Sequence, residues 1–223
     1  MLPNDYAGHY ADLYIFQDKI LNIIFSFDNL FYLTGGTALT RFHKYNHRYS
    51  DDLDFFTNKN NNFKAEFREF KELVEEQGML FDISVESKDF IRVGFKKDGV
   101  ILQVDFVNDY VKRVEKANII NGYKIDTINE IISNKFGAII NRDEPKDIAD
   151  IVEAYRQGYK DWNRAFEMAM LKQSFSNEDL ILRLETFPVR LLEKIRYVDS
   201  SIKDIHLINC KSTLSSVIDL ILS

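Results

Sequence analysis

Leu33-Thr34-Gly35-Gly36-Thr37-Ala38-Leu39, followed after a short basic segment by His47-Arg48-Tyr49-Ser50-Asp51-Asp52-Leu53-Asp54-Phe55-Phe56, sets a glycine turn ahead of an acid-bearing strand. Residues 30–33 read as a short buried strand, 34–37 as a tight turn, 38–45 as a short helix and 52–56 as a second strand. Side chains alternate along a strand, so Asp52 and Asp54 share one face while Leu53 and Phe55 take the other. Two carboxylates about 7 Å apart on one face can converge on a hard divalent cation such as Mg²⁺ or Mn²⁺. A solvated strand face is the other reading of a lone Asp-x-Asp. Gly35 and Gly36 let backbone approach a ligand, the following helix start offers N–H groups to an anion, and Thr37 adds a hydroxyl. Alone, a Gly-Gly pair is a turn as readily as a phosphate cradle.

Further along, Ile101-Leu102-Gln103-Val104-Asp105-Phe106-Val107 alternates in the same way. Leu102, Val104 and Phe106 face a core, and Asp105 shares the other face with Gln103. A carboxylate flanked by Val and Phe in a central strand is costly unless it is paired or liganded. If this strand neighbours 52–56, three carboxylates meet, the arrangement used in two-metal phosphoryl and nucleotidyl transfer.

The rest of the chain supplies the frame. A helix is expected over 6–27 and another over 63–77, each with apolar residues at three- and four-residue steps. Residues 80–85, 90–95 and 100–107 read as strands, the last two joined by an Asp98-Gly99 hairpin. From Thr127 only helices are expected: 127–141 opening on a Thr127/Glu130 capping box, 145–157 with Pro145 in its first turn, one capped by Ser176 and Asp179, and a last one over 213–223. The fold class is therefore α+β, a mixed β-sheet flanked by helices (1–125), followed by an all-helical C-terminal region (126–223).

Two positions in the helical region bear on chemistry. Lys135 falls inside the Ile128/Ile132/Ile139 stripe, so it either snorkels outward or reaches an anion. Asp147 and Asp150 share a helix face; Asp147 is either a helix N-terminal acid or a site residue, and Asp150 has Lys146 four positions away as a partner. Arg41, His43, Lys44, His47 and Arg48 form a basic cluster next to the Asp-x-Asp strand, and Lys112, Arg113 and Lys116 a second, surface-type one. Trp162 and Cys210 read as core residues.

Composition narrows the classes. The 223 residues are 45% hydrophobic and 29% charged, which excludes disorder as the main state. The longest uninterrupted apolar runs fall far short of the ~20 residues of a membrane span, and residues 1–12 lack the basic stretch of a secretory signal. One cysteine permits neither a disulfide framework nor a thiolate metal site, so a cytoplasmic protein is expected. A formal net charge of −6 excludes a protein that coats nucleic acid by bulk charge.

The Gly35-Gly36 turn, the His47-Arg48-x-Ser50-x-Asp52-Leu53-Asp54-Phe55-Phe56 run, the later Asp105, Lys135 and the Arg142–Asp150 segment together resemble the AbiEii/AbiGii toxin-like nucleotidyltransferases of the DNA polymerase β-type superfamily. The resemblance spans about residues 10–155. It implies a nucleotidyltransferase-type fold and an Mg²⁺-dependent enzyme that uses an NTP. Asp52, Asp54 and Asp105 would be metal-binding and catalytic, with Lys135 and Asp147 also catalytic. Gly35, Gly36, Thr37, Arg48 and Ser50 would bind the nucleotide. It further implies the toxin half of a bacterial toxin–antitoxin or phage-defence pair, with a cognate antitoxin and an RNA acceptor such as tRNA. A non-catalytic nucleotide-binding module of the same fold and a metal-dependent phosphodiesterase are the alternatives.

Overall fold

The computed structural model describes residues 6–223, so the first part of the 1–12 stretch lies outside the described residues. The chain forms two compact units. Among the described residues the first comprises 6–38, 50–111 and 117–126; the second comprises 39–49, 112–116 and 127–223. The units are thus not simple halves of the sequence: two segments from before the expected boundary at 125 belong to the helical unit.

The first unit is built on a seven-stranded mixed sheet. Its elements are α1 (Ala7–Ile24), β1 (Tyr32–Thr34), α2 (Gly35–Thr37), β2 (Leu53–Asn58), α3 (Phe63–Glu76), β3 (Phe81–Glu86), β4 (Phe90–Lys97), β5 (Val100–Asp109), β6 (Asn118–Ile120) and β7 (Tyr123–Ile125). The strand order is β3-β4-β5-β2-β1-β7-β6. The β2–β5 and β1–β7 pairs are parallel and the rest antiparallel. One face of the sheet is an aromatic core. Phe106 has ring contacts with Phe31, Phe55, Phe67 and Phe70, and the last two come from the apolar stripe of α3. Phe16 and Phe25, from α1 and its C-terminal cap, pack on Phe95 and Phe55 of the same face. Apolar burial on this scale holds the sheet flat against its two long helices and leaves the opposite face to the polar side chains.

The second unit contains α4 (Ile128–Asn141), α5 (Pro145–Arg156), α6 (Trp162–Lys172), α7 (Asn177–Thr186), a 3₁₀ turn (Val189–Lys194) and α8 (Ser200–Leu222). Pro145 opens α5, and the Ser176/Asp179 capping box of α7 is closed in both directions. At Thr127 only half of the expected box forms: its side chain caps Glu130 N–H, but the Glu130 carboxylate turns to the N–H groups of Val114 and Glu115 and to Lys172. That contact fastens the 112–116 segment to α4. Trp162 and Cys210 are buried. By length and composition α8 passes as a membrane-crossing helix, with a mean hydropathy of 1.3, which the short uninterrupted apolar runs did not lead us to expect. Its Ser, Thr and Asn residues separate those runs, and His206, Cys210, Leu214, Val217 and Ile221 are buried within the unit.

Candidate active site

The acidic face of the sheet is assembled by register. Asp54 pairs with Asp105 across the parallel β2–β5 ladder, and Thr34 pairs with Asp54 across β1–β2, so both carboxylates rise from one face on adjacent central strands. Asp52 immediately precedes β2 and, like Asp54, is half-buried. Gly35 has φ +71°, and a Cβ there would stand 2.5 Å from Asp54 Oδ2. Only glycine lets the turn approach the carboxylate this closely.

The loop leading into β2 is tied down from several sides. Thr37 Oγ1 donates to the Asp52 carbonyl (2.6 Å) and accepts from the Ser50 hydroxyl (2.9 Å). Gln17, fully buried on α1, donates to the carbonyls of Ser50 and Asp51. Tyr14 accepts from Ser50 N–H, and Tyr10 donates to the Asp51 carboxylate. Thr37 and Ser50, expected at the nucleotide, are therefore also what shapes the Asp52 backbone. Gly36 lies in the single helical turn Gly35–Thr37, whose N-cap is Thr34.

Arg92 was not singled out from the sequence. It sits opposite Asp105 in the antiparallel β4–β5 ladder and grips it two-pronged, Nε to Oδ1 at 2.8 Å and Nη2 to Oδ2 at 2.7 Å. The hydrogen bonds to Asp105 come first, with the Asp52 and Asp54 charges adding, in raising the Arg92 pKa above its usual value. The signal was present: a two-residue Asp98-Gly99 turn fixes the hairpin register, and counting back from Lys97 opposite Val100 places Arg92 opposite Asp105.

The second unit holds Lys135, Asp147, Asp150, Arg48 and His47 in one buried network. Lys135 Nζ bridges Asp147 Oδ1 and Asp150 Oδ2, each at 2.7 Å. The Asp147/Asp150 spacing on α5 is what lets both reach one ammonium on α4. Arg142 Nε binds the other oxygen of Asp147 at 2.9 Å. Arg48 holds Asp150 through Nε and Nη2 at 2.7 and 2.8 Å, and His47 Nε2 lies 2.9 Å from the same carboxylate. Burial alone would raise the Asp150 pKa, but Arg48, Lys135 and the His47 hydrogen bond outweigh it and hold it well below the usual carboxylate range. Burial likewise works against a charged Lys135, and Asp150 with Asp147 reverses that, raising its pKa. Arg48, expected at the nucleotide, is buried with its guanidinium on Asp150, and the segment carrying it is pinned by Tyr49 N–H to Arg196 O and Val198 N–H to His47 O.

The donor set of the first unit suits a hard cation: three carboxylates with Asp54 and Asp105 in direct register, and a glycine whose missing side chain leaves room beside Asp54. As the side chains stand, no three His, Cys, Asp or Glu among the described residues converge closely enough to hold an ion.

A mixed sheet with a glycine turn before Asp-x-Asp and a third acid on the neighbouring parallel strand defines the nucleotidyltransferase class. A profile of the nucleotidyl transferase AbiEii toxin of type IV toxin–antitoxin systems matches residues 20–204. The chain belongs to this family. It is accordingly a nucleotidyltransferase with an NTP substrate, and the toxin of a pair that includes an antitoxin. Solved structures share the fold, among them the following two. JHP933 from Helicobacter pylori is 18% identical with a TM-score of 0.60, over 96% of this chain and 93% of that one. MenT4, the nucleotidyltransferase toxin Rv2826c from Mycobacterium tuberculosis H37Rv, is 14% identical with a TM-score of 0.58, over 94% of this chain and 85% of that one. A search of curated proteins returns no match.

Proposed function

We propose that the enzyme transfers a nucleoside monophosphate from an NTP to an acceptor hydroxyl, in an Mg²⁺-dependent reaction, with an RNA such as tRNA as acceptor. The observation that carries this reading is the Asp54–Asp105 register beside Gly35. Asp52, Asp54 and Asp105 would hold the cation, which when bound supplies charge neutralisation at the reacting phosphates. Gly35, Gly36 and Thr37 offer backbone N–H groups for the β- and γ-phosphates, while the Thr37 hydroxyl is spent on the Asp52 carbonyl. Asp105 would also take the acceptor proton once Arg92, which engages both its oxygens, gives way. The family resemblance also gives Lys135 and Asp147, an ion pair within the second unit, catalytic roles, Lys135 as a cation that offsets phosphate charge. Ser50 and Arg48 act as positioning groups, Ser50 through Thr37 and Arg48 through the anchored 47–49 segment.

The test is incubation of the full chain with each α-labelled NTP, Mg²⁺ and total RNA, with and without Asp54→Ala. Label in RNA with one NTP, lost in the variant, is expected. Label on protein or a small molecule would refute the RNA acceptor, and labelling unaffected by Asp54→Ala or by chelation would refute the cation site.

A further inference from the structure

Asp105 and Arg92 differ in how firmly they are held. The Asp105 side chain is 11% exposed and fixed in the middle of β5, while that of Arg92 is 39% exposed on an unbranched stem. Both Asp105 oxygens are committed to the guanidinium, with Gln103 Nε2 a further 3.5 Å from Oδ2. The guanidinium carbon also lies 5.4 Å from the centre of the Phe90 ring, a face on which a released arginine can rest. Three carboxylates and one guanidinium leave two negative charges in the set, the charge of one divalent cation. In the present arrangement the third carboxylate is turned to the arginine.

We propose that Arg92 is a displaceable counter-ion. It neutralises Asp105 before the cation arrives, competes with divalent ions for that carboxylate, and swings outward when an ion takes its place. Arg92 is thus a positioning residue that sets how tightly, and in what order, the carboxylates take up metal. This rests on the reading of Asp52, Asp54 and Asp105 as the cation-holding set.

Mn²⁺ binding to the nucleotide-free full chain, read from the free-ion paramagnetic resonance signal, tests it. Arg92→Gln should bind Mn²⁺ about tenfold tighter than the parent, because a competing cation beside the site is gone. Arg92→Lys keeps the charge but loses the two-pronged grip, so it should bind several-fold tighter, and it carries the comparison if Arg92→Gln does not fold. In an Asp105→Asn background the Arg92 substitutions should tighten binding far less, because only the charge felt by Asp52 and Asp54 remains. Melting adds a readout that a merely structural cross-strand pair would not move: the loss in Arg92→Gln should be large in chelator and shrink in saturating Mn²⁺. Unchanged or weaker Mn²⁺ affinity in Arg92→Gln, with binding still abolished by Asp54→Asn, overturns the proposal alone. Binding indifferent to Asp54→Asn removes the underlying reading of the site, and the proposal with it.

Discussion

Gly35 carries two constraints at once, a left-handed backbone and a carboxylate oxygen where its side chain would be. Gly35→Ala should cost about 1–2 kcal/mol of stability from the backbone and should push Asp54 aside. Melting curves should show a modest loss while nucleotide transfer falls at least tenfold; unaltered transfer would mean that Asp54 has no fixed position to lose. His47 has a different signature. Burial, as the largest influence, lowers its pKa against the pull of Asp150, so the fold takes up this proton at a lower pH than the unfolded chain, which does so around pH 6.5. Its effect on stability is therefore absent above that pH and becomes a loss on acidification. Glu153 adds to this lower down. Burial would raise its pKa, but hydrogen bonds from His206, Arg156 and Gln157 bring it to about 2, so its stabilisation is complete above about pH 4.5 and lost as the pH falls toward 2. The melting temperature should drop from pH 7 to pH 5, and His47→Gln should flatten that drop. The shared face of Asp54 and Asp105 was legible in the sequence because strand alternation is local. The Arg48–Asp150 pair was not, because 102 residues separate the partners and nearby Lys146 offered a local partner instead.

Helix ends and strand pairs show the same contrast between local and distant causes. Thr127 caps α4 as its spacing foretold, whereas the Glu130 carboxylate serves the 112–116 segment and Lys172, which no local rule could indicate. Thr127→Ala should cost about 1 kcal/mol, the usual loss of a cap. Glu130→Ala should cost about 3–5 kcal/mol, since it leaves buried Lys172 without that carboxylate and two backbone donors without their acceptor. Denaturant titration of both variants checks the ranking, and equal losses would show that Glu130 acts only as a helix-end residue. Strands β2, β4 and β5 were legible as alternating runs bounded by turns. The three-residue β6 and β7 are too short for any period to register, and α8 begins at Ser200 rather than 213 because its polar residues break the apolar pattern.

For the molecule as a whole, the sequence showed a mixed front and a helical back, but not that 39–49 and 112–116 join the helical unit, since side chains far along the chain capture them. A net charge of −6 repels nucleic acid at long range, so an RNA acceptor must be met by local basic groups. Lys44 is exposed in the 39–49 segment. Lys44→Glu should lower turnover on RNA several-fold, leave NTP binding nearly intact, and reduce the salt slope by about 0.7 if it meets a single-strand phosphate; equal loss of both would place Lys44 at the nucleotide. The most direct test of the account follows both ends of the NTP. With NTP labelled at the α-phosphate or at the γ-phosphate, and with Mg²⁺ and RNA, the α label should appear on the acceptor and the γ label as pyrophosphate, in equal amounts, and neither product should form with Asp54→Asn or Asp105→Asn. Transfer of the γ label to the acceptor, or turnover that survives loss of either carboxylate, would contradict it.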